Sequence, residues 1–419
     1  MHGLKNNHYS MSTISNDIRL AARNLRRNTR RTLGGVFTVA AGVIAYLLAG
    51  GFIAWIFQDM REATIHSQLG HVQIVRPEFF ERGIANPYGF LLPADSAEQA
   101  ELAGMAGVVA ITPRLVFNGL ISLGDTTVAF AGEGVDPVGE RPISSRIRLL
   151  EGVDLASADA RSILLGEGLA KSLNAKPGDT VVLIVTTVSG GTSAIELKVA
   201  GIFATVTKEY DDSAVRVPIN VARKLMRVVG ATSWVVLLDA ADRTDRFVAA
   251  ARLRLPSGSF AVVPWTALAD FYNKTVLLLS KQVNVVKVII GLIIVLTISN
   301  TMTMSVQERT TEIGTSLAVG LRWYEVMRLF VVEGLLIGVA GGLVGLISGK
   351  LLAMGISAIG IPMPPPPGMA HGYMGQIVVS PLLALDALLV ALTTTLLASV
   401  LPASRAGHMN IVDALRHGQ

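Results

Sequence analysis

The chain has 419 residues, of which 51% are hydrophobic and only 16% charged, with 41 glycines and no cysteine. Its mean hydropathy of +0.52 excludes a disordered chain, and the lack of cysteine excludes disulfide frameworks, thiolate catalysis and cysteine-based metal sites. The net charge of +5 would suit nucleic acid only if the basic residues formed a binding patch, so their placement decides the question.

Residues 1–32 carry Lys5, Arg19, Arg23, Arg26, Arg27, Arg30 and Arg31 against a single acid, Asp17. Ile14, Ile18, Ala21, Ala22 and Leu25 recur at helical spacing, with the arginines mostly opposite. That pattern predicts an amphipathic elbow helix lying among lipid headgroups. Leu33–Phe57 then runs 25 residues without a charge. A transmembrane helix needs about 20 such residues, whereas the apolar region of a cleaved signal peptide has about 7–15. The run also ends in Phe52, Trp55 and Phe57, the pattern of an interfacial aromatic anchor.

Residues 58–282 have ordinary globular composition and read as mixed α and β. Gly70–Val75 is a candidate strand. Leu115–Leu123 with Thr126–Ala131 reads as a hairpin around Gly124-Asp125, and Thr180–Val188 with Thr192–Phe203 as another around Gly190-Gly191. Trp234–Asp239 is a further strand. Helices are predicted at Ala97–Ala103, Gly168–Asn174, Val221–Val229 and Arg243–Leu253, and residues 156–212 form the most purely β subregion. Chemistry is sparse here. His66 and His71 lack a matching carboxylate at ligand spacing and read as structural. Glu209, Asp211 and Asp212 read as a solvated acidic loop. No nucleophile elbow or zinc-protease motif occurs, so no catalytic or metal-binding residue is assigned.

Three more spans follow, at 283–306, 329–354 and 377–401: Val288–Val306 is uncharged, with Asn284 and Lys287 just before it, and the other two are interrupted only by Glu333 and Lys350 and by Asp386, respectively. The loop 307–328 holds Arg309, Arg322 and Arg328, and the tail 402–419 holds Arg405 and Arg416. The loop 355–376 holds no Lys or Arg. By the positive-inside rule both termini and the 307–328 loop are cytoplasmic, and residues 58–282 and 355–376 lie outside. The basic charge is therefore a topology signal, and nucleic acid is not a predicted partner. Gly341, Gly345 and Gly349, with Gly338 beside them, form a small-residue row suited to close helix packing. The stretch Gly345–Leu351 imitates a phosphate-binding loop but has the wrong spacing and sits in an apolar helix. Intramembrane charges are costly and usually paired, so Lys350 and Asp386, at similar predicted depth, are expected to form an ion pair. Thr297, Ser299, Thr301 and Thr303 are expected to bond to backbone or neighbouring helices. Ile361–Gly368 is a stiff polyproline spacer.

One helix, a large outer domain, three more helices and no ATP site make an unusual order. Four stretches carry a resemblance: Arg19–Ala45, Ile163–Val181, Gln307–Gly342 with its ERxxEIG…G…E pattern, and Pro402–Leu415. The chain resembles the permease subunits of the FtsX-like superfamily, the type VII ABC permeases, which include macrolide exporters and lipoprotein-release permeases. In the tail Ile411 replaces the usual Pro, and Gly407 replaces Ala. The resemblance implies an α-helical membrane protein with four transmembrane helices and a large mixed α+β extracytoplasmic domain inserted between helices 1 and 2. It also implies a bacterial inner-membrane location and a second permease copy, identical or related. A separate ABC ATPase would carry ATP and magnesium, with no cofactor in this chain. The family's coupling helix carries over to Glu308, Arg309, Glu312, Ile313 and Gly314, with Gly320 ending it. The implied activity is mechanotransmission that extracts or exports a lipoprotein or other hydrophobic or peptide substrate. The alternatives are a non-transporting relay to an outer partner such as a cell-wall hydrolase, and, third, a membrane-anchored enzyme.

Overall fold

A computed structural model describes residues 17–83, 87–94, 96–158, 160–364 and 372–409. Residues 17–27 form α1 and Thr29–Thr64 form α2. A mixed unit made of Gln58–Val276 with Met363–Tyr373 has its own cores. Its helices are α3 (Ala97–Ala103), α4 (Glu167–Leu173), α5 (Lys208–Asp211), α6 (Ile219–Met226), α7 (Thr244–Arg254) and α8 (Trp265–Leu268). Its strands are β1 (Val72–Val75), β2 (Val108–Leu123), β3 (Thr126–Val135), β4 (Arg148–Gly152), β5 (Ser162–Gly166), β6 (Thr180–Thr186), β7 (Thr192–Ala204), β8 (Ala214–Pro218), β9 (Ser233–Leu238) and β10 (Ala261–Pro264).

All ten strands join one sheet, in the order β10-β1-β9-β2-β3-β8-β5-β7-β4, with β6 bridging β2 and β7. The 16-residue β2 makes this continuity possible. Its first half pairs with β9, its end pairs with β6, and β3 runs alongside from Arg114 to Leu123. Both predicted hairpins are present, and Gly124 (φ +57°) and Gly190 (φ +80°) supply the left-handed backbone their turns need. Residues 156–212 supply β5, β6 and β7 but form no sheet of their own. Strands β4, β5, β8 and β10 were not predicted; each is four or five residues long, and such runs carry too few residues to show a period.

Two arginine–glutamate pairs are buried within this unit. The Arg114 guanidinium donates to Glu140, Arg216 lies 3.0 Å from Glu133, and all four side chains are at least four-fifths buried. Arg216 also donates to the Ser67 carbonyl at 3.1 Å and Arg114 to that of Gln68, which pins the turn after α2 to the sheet. Burial alone would raise the Glu133 carboxyl, but Arg216 and Arg114 hold it below its ordinary range. Asp211 corrects the solvated-loop expectation: it is buried and accepts from Thr205 N–H at 2.9 Å and Thr205 Oγ1 at 2.8 Å.

The helical unit holds four helices long and apolar enough to cross a membrane: α2 with its continuation to Leu69, α9 (Asp270–Glu308), α11 (Trp323–Ile359) and α12 (Pro381–Gly407). The last two are joined to α9 through the short α10 (Thr310–Ala318). The helices α2, α9 and α11 extend beyond their predicted apolar runs at both ends, because backbone bonding continues into the polar flanks, whereas α12 begins only at Pro381, inside its predicted run, and continues to Gly407. The glycine row of α11 serves two neighbours. A Cβ on Gly341, Gly345 or Gly349 would stand 2.6, 2.7 or 2.9 Å from Val39, Val43 or Leu47 of α2. Gly338 and Gly342 instead meet Thr395 and Leu388 of α12. Thr301 and Thr303 donate to carbonyls one turn back, at 2.8 Å each, as expected. The imitation phosphate loop at Gly345–Leu351 lies inside α11. Of the polyproline stretch, residues 365–368 lie outside the described residues, as do Ile14 and residues 410–415 of the tail.

Replacing Gly345 by Leu forces α2 and α11 apart and costs about 1–3 kcal/mol, the usual range for overpacking. Gly355→Leu on the same helix meets open space. Thermal unfolding of the full chain in detergent should show a lowered midpoint for the first variant and little change for the second.

Candidate functional site

The predicted coupling segment breaks away from α9 at one residue. Arg309 has φ −107° and ψ 15°, outside the helical range, so α9 ends at Glu308 and α10 begins at Thr310. Gly320, at φ +110°, ends the segment as expected, since a left-handed backbone there suits glycine. Four ion pairs surround the break. Both nitrogens of the Arg31 fork donate to Glu308, Arg27 lies 2.7 Å from Glu312, Arg309 Nε donates to Glu312 at 3.2 Å, and Arg309 Nη1 donates to Glu333 at 2.9 Å. Asn24 of α1 donates to the same Glu333 oxygen at 2.7 Å. The Arg309 guanidinium also sits 5.5 Å from the Phe330 ring centre.

These pairs are unequal. The Glu308 and Glu312 side chains are each 53% exposed, whereas that of Glu333 is 3% exposed. Exposed pairs contribute about 0–1 kcal/mol, while a buried carboxylate that loses its partner costs several. Ile313 and Gly314 face inward, with Ile313 packed among Val306, Val326, Phe330, Ala403 and Ala406. The segment's exposed apolar residues are Val319, Leu321, Trp323 and Tyr324. The segment's charges and Ile313 therefore make contacts within this chain, and its exposed apolar residues lie just after them.

Asp386 of α12 is paired, but not with Lys350. Lys287 of α9 donates to both carboxylate oxygens at 2.7 and 2.8 Å, and the Tyr46 hydroxyl of α2 donates as well. Lys287 also lies 5.8 Å from the Tyr46 ring centre. Lys350 follows Gly349, which packs on α2, and each helical residue turns about 100° from the last, so Lys350 points to the exposed side. The sequence reading set Lys287 just ahead of its span and so overlooked it; α9 begins at Asp270 and carries Lys287 well into the helix.

In the mixed unit His71 is structural, as read. Its Nδ1 accepts from the Leu238 N–H at 3.1 Å. Burial, with some help from neighbouring His66, holds its pKa down at about 4. Glu62, one turn before His66, lies 3.6 Å from it, a carboxylate the sequence reading passed over. Among the described residues no group of three or more acids and histidines is placed to hold a metal ion.

Residues 32–254 match the family profile of the MacB-like periplasmic core domain, and residues 284–411 that of the FtsX-like permease C-terminal domain. The chain belongs to the MacB- and FtsX-like family of ABC transporter permeases. Among relatives, the macrolide export ATP-binding/permease protein MacB of Hyphomonas neptunium is 26% identical across 97% of this chain and 61% of its own. The lipoprotein-releasing system transmembrane protein LolC of Xylella fastidiosa is 28% identical over 54% of this chain and 56% of its own. An ABC transporter permease of Methanocaldococcus jannaschii is 26% identical over 64% of this chain and 65% of its own. This permease thus spans about three-fifths of the length of the curated relatives it matches. The family and the four apolar helices make it a membrane protein.

Two measurements test these placements in the permease. If Lys287 and Asp386 act as a unit, Asp386→Asn and Lys287→Gln lower the unfolding midpoint non-additively, with a coupling of about 0.5–3 kcal/mol; additive losses would refute the pair. For His71, the unfolded chain binds a proton first as pH falls below the ordinary 6.5, while the folded site resists until about 4. Its contribution to stability is therefore complete above pH 6.5 and declines down to about pH 4. His71→Gln should flatten that part of the acid loss in a pH series of unfolding midpoints.

Proposed function

We propose that this chain is the membrane subunit of an ABC transporter, with ATP hydrolysed by a separate subunit that docks at α10 and the turn after it. The observation that carries this reading is the geometry of residues 308–324. A short helix breaks from α9 at Arg309; Glu308 at the end of α9 pairs with α2, Glu312 of the short helix with α1 and Arg309 with α11, and exposed Val319, Leu321, Trp323 and Tyr324 follow. A fastened lever beside an open apolar patch is what a force-transmitting contact requires, because the partner needs apolar area and the lever needs stiffness. Family membership supports the same assignment.

The positive-inside count puts both chain ends and the 307–328 loop in the cytoplasm and the mixed unit outside, in the bacterial inner membrane. Two permease copies, identical or related, would work with the ATPase. The names of the MacB and LolC relatives support a hydrophobic or peptide-bearing cargo such as a lipoprotein, moved by mechanotransmission. ATP and magnesium belong to the partner, and this chain supplies no catalytic residue.

Purifying the tagged chain from its native membrane should bring down an ATP-binding protein. Deleting Glu312–Leu317, or replacing Glu308 by Lys so that it repels Arg31, should leave the chain in the membrane and reduce both the recovered ATPase and its stimulation. Full recovery and stimulation with the deleted chain would rule out docking at this segment.

A further inference from the structure

We infer that Glu333 is the positioning joint through which movement of α10 is passed to α11, an inference that rests on the coupling role proposed above. The one-residue break at Arg309 interrupts the helical geometry between α9 and α10, so α10 is not a rigid extension of α9. Thr310 Oγ1 donates to the Gln307 carbonyl of α9 at 2.8 Å, and the Arg309 side chain donates both to Glu312 of α10 at 3.2 Å and to Glu333 of α11 at 2.9 Å, which links the start of α10 to α11. Glu333 is 2% exposed, and one of its oxygens takes bonds from two other elements, Arg309 at 2.9 Å and Asn24 at 2.7 Å. Phe330, one turn earlier on α11, covers the guanidinium. The exposed pairs Arg31–Glu308 and Arg27–Glu312 exchange readily with water, but a buried charge cannot leave its partner without a desolvation penalty. A push on α10 therefore stretches the weak pairs and carries the strong one with it.

The next turns of α11 extend that link. Gly334 and Gly338 touch Ser399 and Thr395 of α12, and Gly341, Gly345 and Gly349 touch α2. Without side chains to deform between the backbones, displacement of α11 at Glu333 is passed to both neighbours. Glu333 thus gives α10 a direct link to α11 beside its chain link to α9.

The chain has no cysteine, so a single introduced thiol reports without background. Ile359, at the far end of α11, is exposed and suits Ile359→Cys. Its rate of maleimide modification is measured in the complex with the co-purifying ATPase, with and without a non-hydrolysable ATP analogue. The expected result is a nucleotide-dependent rate in the parent chain. In Glu333→Ala that dependence is lost while the ATPase still co-purifies in the same ratio and still hydrolyses ATP. The pair Arg309→Gln with Glu333→Gln, which leaves no unpaired buried charge, tests the same point if the alanine variant does not accumulate, and should also lose the dependence. A dependence of parental size in either variant overturns the joint and leaves the coupling reading standing. Failure of any ATPase to co-purify with the parent chain overturns the coupling reading itself, and the joint with it.

Discussion

The helical unit depends on how closely α11 can approach its neighbours. Apolar helices surrounded by lipid tails gain nothing from hiding apolar area from one another, so their association rests on dispersion contacts and a few polar bonds. Dispersion falls off steeply with distance, and only glycine lets two backbones come near enough. The glycines of α11 provide this on two sides, with Gly341, Gly345 and Gly349 against α2 and Gly334, Gly338 and Gly342 against α12. That arrangement makes α11 the central element, and α9, whose apolar side chains are largely exposed, the peripheral one.

Polar interactions then fix the register that apolar contact leaves loose. Each sits where three elements meet. Glu333 ties α1, the start of α10 and α11 together, and Asp386 ties α2, α9 and α12. A slide of any one helix by a single turn would leave a charge without its partner in a region that solvates charge poorly. The Tyr46 hydroxyl and the Asn24 amide matter for the same reason, since each supplies a further bond that fixes a carboxylate in place.

The mixed unit solves a different problem. Its sheet is long because β2 serves two sets of partners, and a sheet of that length needs restraint against shear. The Arg114–Glu140 and Arg216–Glu133 pairs provide it by reaching from β2, β3 and β8 to the carbonyls of Ser67 and Gln68. The turn that follows α2 is thereby fixed to the sheet interior, and Asp211 fixes the end of β7 through Thr205 in the same way.

By itself, the sequence determined the four apolar helices, the α+β character of residues 58–282, both long hairpins, the glycine row and the turn at Gly320 that follows the short helix α10. Each of these is set by local pattern: run length, period, turn dipeptides such as Gly124-Asp125, and a left-handed glycine at 320. The tertiary structure alone decided which charges meet. By predicted depth Lys350 is the partner of Asp386, but the rotation of α11 about its axis, set by Gly349 packing on α2, turns Lys350 away, and Lys287 of α9 bonds Asp386 instead. In the same way the sequence does not show that Ile313 packs among Val306, Val326 and Phe330, or that Glu333, a charge within an apolar span, is the meeting point of three elements. Pairings between residues hundreds of positions apart depend on the azimuth of each helix, and no local period encodes that.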